Sequence, residues 1–282
     1  MTDTQNSPKS ILSVLAHPDD ESFGMGGTLA LYAKRGVPVT LACATLGEAG
    51  IIPEGMLKEG QDAASLRKAE LECAVKELGI SQLILLGFRD SGMLGWEANH
   101  HPDALIAQPL QVVVDRVLEV MRQTQPDIVL TFDPIGGYRH PDHIRTHEAT
   151  VKAFETYRAE HPHPGKLKLL FHLMPAGFLK AGIISLRLAG RDPRHYGEGG
   201  DIDLVDIASQ NFPRHYVIRY NSVAKQVEAA CSCHVSQGGN NRGAEKVNLL
   251  MRLMNRPVDH YMQAWPLPAP RRRLDDLFKD SE

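Results

Sequence analysis

Ser13-Val-Leu-Ala-His-Pro-Asp-Asp-Glu-Ser-Phe-Gly-Met-Gly-Gly27 sets the reading of the whole chain. An apolar run, Ile11 to Ala16, stops at His17, Pro18, Asp19, Asp20 and Glu21, and a helical pattern begins near Gly26. A short apolar run closed by turn residues reads as a strand buried on both faces. An imidazole and three acids at its end put polar side chains at a sheet's carboxyl edge, where open α/β sheets bind ligands. His17 and Asp20 are metal-ligand types, and Asp19 is left for proton transfer.

Outward from this stretch, strand-like runs recur at Val39–Ala44, Leu83–Leu86, Ile128–Phe132 and Lys168–Leu173. Between them Leu66, Ala69 and Cys73 share a helical face that stops at Gly79, and Leu110 to Met121 follow the i, i+3, i+4, i+7 rule. Strands alternating with helices predict an α/β, Rossmann-like, mostly parallel sheet with helices on both faces and a C-terminal elaboration. One domain is expected over 1–282: a core at 10–174, then an insertion and elaboration at 175–282. The long loops Gly47–Ala64 and Phe88–Pro109 leave the same sheet edge as His17 and read as lids or substrate walls. Pro175–Arg214, rich in glycine, has no derivable role. Val223, Val227, Ala230, Cys231 and His234 share a helical face capped by Asn221 or Ser222, and Val247, Leu250, Met251 and Met254 predict a last helix.

Charge is nearly balanced, 31 Lys+Arg against 34 Asp+Glu, which gives no electrostatic case for nucleic acid or a membrane surface. No apolar run approaches a membrane span, and the polar Met1–Ser10 lacks a signal-peptide core. Four irregularly spaced cysteines read as packing residues of a reducing compartment, so a cytoplasmic protein is expected. A homo-oligomer is compatible with all of this.

The second informative stretch is Asp133-Pro-Ile-Gly-Gly-Tyr-Arg-His-Pro-Asp-His-Ile-Arg-Thr-His147, after the fourth strand. In the usual doubly wound order, strands one and four are neighbours, which brings both stretches to one crevice. His17, Asp20 and a later histidine make a three-ligand set suited to catalytic zinc, with Fe(II) held by the same residue types. His143 is the better third ligand because it begins the helix that Pro141 starts, while His140 faces the substrate. The metal makes hydroxide available near neutral pH, Asp19 moves the proton, and His140 as imidazolium or the Tyr138 hydroxyl stabilises an oxyanion. Glu21 and Asp142 read as partners orienting the ligating histidines. His147 lies on an apolar face and reads as a hydrogen-bonded core histidine; His100 and His101 read as loop residues. Gly24-x-Gly26-Gly27 lacks the full dinucleotide fingerprint, and acids fill its turn, which argues against a dehydrogenase.

His-Pro-Asp-Asp-Glu after the first strand and Gly-Gly-Tyr-x-His-Pro-Asp-His after the fourth together resemble the LmbE-like (PIG-L) zinc-dependent N-deacetylases. The resemblance implies His17, Asp20 and His143 as zinc ligands, Asp19 as general base, and His140 and Tyr138 as acid or electrostatic partners. Leu86-Gly-Phe-Arg-Asp-Ser-Gly-Met93 and Thr45-Leu-Gly-Glu48 look most like the mycothiol-pathway deacetylases, which act on a GlcNAc-inositol; bacillithiol-pathway relatives act on GlcNAc-malate. By that similarity Glu48, Arg67, Asp90 and His234 are candidate contacts to a small amino-sugar conjugate. The chain departs from the family at Arg139, where a small residue is common. The rival expectations are a metal-dependent hydrolase of another amide or ester, and a non-catalytic sugar-binding module that kept the metal site.

Overall fold

The computed structural model describes residues 9–161, 167–174, 176–197, 199–239, 257–267, 269 and 271–279; the helix expected around Val247–Met254 lies outside them. In chain order the elements are β1 (Ile11–Leu15), α1 (Asp20–Phe23), α2 (Gly26–Lys34), β2 (Val39–Cys43), α3 (Ala63–Leu78), β3 (Gln82–Leu85) and α4 (Leu110–Thr124). There follow β4 (Ile128–Phe132), α5 (Gly136–Arg139), α6 (Pro141–Glu160), β5 (Lys168–Leu173), α7 (Ala176–Leu188), α8 (Leu204–Ser209), β6 (Tyr216–Arg219), α9 (Ala224–Cys233) and β7 (Val258–Trp265). One sheet runs β3-β2-β1-β4-β5-β7-β6, with the first five strands parallel. The direction of strand succession reverses between β1 and β4, so the crevice expected there exists.

The apolar runs of β1, β2 and β4 are buried throughout, because helices cover both faces. One face packs on α4 and α6 through Val113, Val117, Met121, Ala153 and Phe154. The other packs on α2, α3 and α9 through Leu29, Leu71, Leu78 and Ala230. Helix α3 begins where the Asp62 carboxylate accepts from Ser65 N at 2.8 Å, and ends at left-handed Gly79. The fully buried Gly27 of α2 sits so near the Tyr220 ring that a Cβ would lie 2.0 Å from it. Gly27 therefore serves the close packing of α2 against Tyr220.

The sequence reading needs correction in three places. The C-terminal part adds β7 and β6 to the same sheet, antiparallel to β5 and to β7 respectively. Cys73 of α3 and Cys233 of α9 form a disulfide across 160 residues, so they are not plain packing cysteines. Those helices lie side by side, a proximity that sequence spacing cannot reveal, and the cysteine argument about compartment falls away. Helix α9 starts after a 3-10 turn at Asn221–Val223 with no side-chain cap from Asn221 or Ser222. Among the described residues no helix is long and apolar enough to cross a membrane.

Candidate active site

The carboxyl end of β1 turns sharply. Asp19 sits at φ 115°, and its carbonyl accepts from Ser22 N and Phe23 N at 3.0 and 2.9 Å to start α1. A non-glycine residue there costs about 1–3 kcal/mol and needs surrounding bonds to hold it. Glu21, wholly buried, supplies them: its carboxylate accepts from Asp19 N at 3.0 Å and Ser22 Oγ at 2.5 Å, and lies 2.6 Å from His234 Nε2. Arg67 of α3 closes the other side, donating to Pro18 O at 2.5 Å, Gly47 O at 3.0 Å and Asp19 Oδ2 at 3.2 Å. Gly47 is left-handed, and a Cβ there would fall 1.9 Å from the guanidinium.

The end of β4 supplies the partner wall. His140 caps α6, its Nδ1 accepting from Asp142 N at 3.2 Å, and Pro141 takes the first helical position. His143 then points back over Phe132, the two rings stacked 4.0 Å apart. His17 Nδ1 lies 3.2 Å from His143 Nε2 and 3.7 Å from Asp20 Oδ2, and His143 Nε2 lies 3.3 Å from Asp20 Oδ1. A tetrahedral ion with bonds of about 2.0–2.1 Å needs donor separations of about 3.3 Å. The two imidazole nitrogens stand at that separation, and the Asp20 carboxylate reaches them through different oxygens, Oδ2 toward His17 and Oδ1 toward His143, while Oδ2 also accepts from His17 N at 2.8 Å. His17, His140 and His143 also bring one nitrogen each within 4.8 Å of one another, so His140 stands beside the same point. The far nitrogen of His17 faces Asp142 Oδ2 at 3.2 Å and Asp90 Oδ1 at 3.3 Å, the carboxylate support that orients a ligating imidazole. Asp142 thus stands against His17, one of the candidate ligands, whereas Glu21 holds Asp19 and His234.

Burial pushes Asp19 up to about 7 against the pull of the Arg67 guanidinium, and pushes Asp20 up to about 6 against His17. Burial alone would lower His17, but the Asp90 and Asp142 carboxylates raise it well above its ordinary value. His140 and His143 are driven well down by burial and by the charge of His17. Burial and three nearby carboxylates keep the Tyr138 phenol protonated well past its ordinary range.

A cavity of about 760 Å³ opens over this cluster. His17, Asp19, Tyr138 and His140 form its floor, and Arg67 and Asp90 reach it as expected. Glu48 and His234 are not among its lining residues. Glu48 braces the wall by accepting from Asp90 N at 2.9 Å, and the fully buried His234 turns inward to Glu21, leaving Ser236 and Gln237 to face the cavity. His147 is hydrogen-bonded as expected, its Nδ1 2.9 Å from Phe132 O, but it is half-buried and not a core residue.

The family described as PIG-L, GlcNAc-PI de-N-acetylase, matches residues 12–154. The chain belongs to the PIG-L family. A PIG-L relative from Actinosynnema mirum, named 1D-myo-inositol 2-acetamido-2-deoxy-alpha-D-glucopyranoside deacetylase, is 46% identical over 73% of this chain and 74% of its own length. Among solved structures, the N,N'-diacetylchitobiose deacetylase of Pyrococcus horikoshii shares the fold (TM-score 0.57, 20% identity, covering 90% of this chain and 83% of that one). So does a 4-carboxy-2-hydroxymuconate hydratase from Pseudomonas putida (TM-score 0.56, 18% identity, covering 92% and 97%). One fold therefore carries more than one reaction, and the site must decide.

The loops Gly47–Ala64 and Phe88–Pro109 do wall the cavity, through Ile51, Met56, Met93 and Trp96, while sequence reasoning missed a third contributor. Trp96 Nε1 donates to Asp201 Oδ2 at 3.2 Å, and both line the cavity, so the unplaced Pro175–Arg214 region forms part of its wall. Arg139, where the family often has a small residue, is left-handed at φ 68° and pairs with Asp206 of α8. A lone tryptophan in a glycine-rich loop was a usable signal; Asp201 had none.

Proposed function

We propose that this PIG-L protein is a zinc-dependent hydrolase that removes the N-acetyl group from a small GlcNAc conjugate, GlcNAc-inositol before GlcNAc-malate. The carrying observation is the trio His17, Asp20 and His143, with donors 3.2–3.7 Å apart and a further carboxylate, Asp19, beside them. Zinc held there supplies Lewis acidity and a water of lowered pKa; Fe(II) suits the same donors. The bond of His17 Nε2–H to Asp142 and Asp90 leaves Nδ1 as the ligating nitrogen. Asp19, whose carboxylate form the Arg67 guanidinium favours, takes a proton from the attacking water and hands it to the leaving amine. His140 accepts at Nδ1 from Asp142 N, which leaves its Nε2–H to donate as a neutral imidazole. With the Tyr138 hydroxyl it meets the oxyanion of the tetrahedral intermediate. This revises the imidazolium expected for His140, because burial and two neighbouring imidazoles disfavour its charge.

The test is amine release from GlcNAc, GlcNAc-inositol and GlcNAc-malate after chelation, with zinc or Fe(II) restored separately. Release that chelation abolishes and zinc restores, strongest on GlcNAc-inositol, is the expected result. No release from any of the three by protein carrying stoichiometric zinc overturns the reading and returns the amide-or-ester and binding-module alternatives.

A further inference from the structure

A second cavity, of about 390 Å³, borders the same cluster. Asp20 and His143 line only this cavity, His17 and His140 line only the larger one, and Asp19 and Tyr138 line both. The point where the three donors converge therefore sits in the partition between two chambers. Both linings mix polar and apolar groups. The larger chamber carries Arg67, Asp90, Trp96, Asp201 and Gln237, side chains that suit a polyhydroxylated ring, beside Ile51, Met56, Met93, Ile202 and Val235. The smaller has an apolar side made by Phe23, Met25, Phe132, Met174, Tyr220 and Val258, with the His172 imidazole among them. Its two acids away from the cluster are already engaged: Asp133 Oδ1 accepts from Ile135 N and Gly137 N, and Asp259 Oδ2 from Thr28 N and Oγ1.

An amide carbonyl carbon bears two substituents that diverge, the nitrogen and the acyl chain. A carbonyl attacked in the partition must send one into each chamber. Resting on the hydrolase reading above, we propose that the smaller chamber is an acyl-side subsite that takes unbranched N-acyl chains longer than acetyl. Hydrolysis adds water across the C–N bond, so the amine is released into the larger chamber and the carboxylic acid into the smaller. A space of 390 Å³ falls within the usual range of ligand pockets, about 300–1,000 Å³, and is far larger than a methyl group needs. Each methylene buried there contributes about fourfold in affinity.

The experiment has two arms. In the first, zinc-loaded protein is given N-acetyl, N-butyryl and N-hexanoyl glucosamine conjugates, and amine release is measured for wild type, Met174→Trp and Val258→Phe. The expected result is butyryl turnover within about tenfold of acetyl, with the butyryl-to-acetyl ratio falling at least tenfold in the filled variants. Wild type that cleaves acetyl and is more than a hundredfold slower on butyryl overturns the subsite and leaves the deacetylase reading intact. The second arm needs no turnover and no variant. Acetate, butyrate and hexanoate are titrated calorimetrically into wild-type zinc-loaded protein, and affinity is expected to rise with chain length. A flat series overturns the subsite; a rising series with no amine release from any conjugate keeps it and overturns the hydrolase.

Discussion

At the scale of single residues, Asp19 is the side chain whose setting says most. Its backbone is forced to φ 115°, Glu21 and Arg67 hold it, and its carboxyl faces the donors without being needed among them. Asp19→Asn should lower amine release by about 10²–10⁴-fold while metal content stays stoichiometric. Loss of metal along with turnover would make Asp19 a ligand. His143→Ala should instead abolish metal retention through gel filtration, since it removes a donor that Phe132 holds in place. Asp142→Ala should weaken metal affinity by about 10–100-fold, because His17 loses one of the carboxylates that orient it. The candidate donors were legible in the sequence because the polar motifs that carry them follow directly on apolar runs. Resemblance offered Glu48, Arg67, Asp90 and His234 alike, and it does not say which way a side chain turns: Arg67 and Asp90 line the cavity, Glu48 and His234 stand behind its wall.

At the scale of elements, the first five strands were legible as apolar runs, and β7 was not, for a visible reason. Its inward positions are Asp259, Tyr261 and Gln263, so no apolar alternation marks it. Burial holds the Asp259 carboxyl at about 7 while it accepts two bonds from Thr28. The folded state therefore keeps a proton that the unfolded chain gives up near 3.8, and stability drains away as pH rises between the two values. An Asp259→Asn variant lacks that loss. Its advantage in melting temperature over wild type should grow from pH 4 to pH 7 and level off above; a constant offset would mean the carboxyl ionises as in water. The helices α3 and α9 offer a second test. Replacing Cys73 and Cys233 by serine should lower stability by about 2–4 kcal/mol in denaturant titration, since the crosslink closes a long loop in the unfolded chain.

For the whole molecule, the reversal of strand succession between β1 and β4 was foreseeable from alternation together with the usual doubly wound strand order, and it put the two motifs in one crevice. The two long loops of the rim were foreseeable, but not which side chains they present or what joins them. Trp96, Asp201 and Ser236 arrive from irregular segments whose positions depend on how the completed sheet is wrapped. The same β1–β4 neighbourhood has a consequence in time. His17 and His143 are 126 residues apart, and they meet only after a parallel pairing that cannot form locally. Such pairings come late and close slowly. An ion bound by both histidines thus grips the molecule after its rate-limiting step is over. Added zinc should leave the refolding rate where it was and slow unfolding in proportion to occupancy, so that the cofactor acts as a latch on departure from the native state rather than a guide toward it.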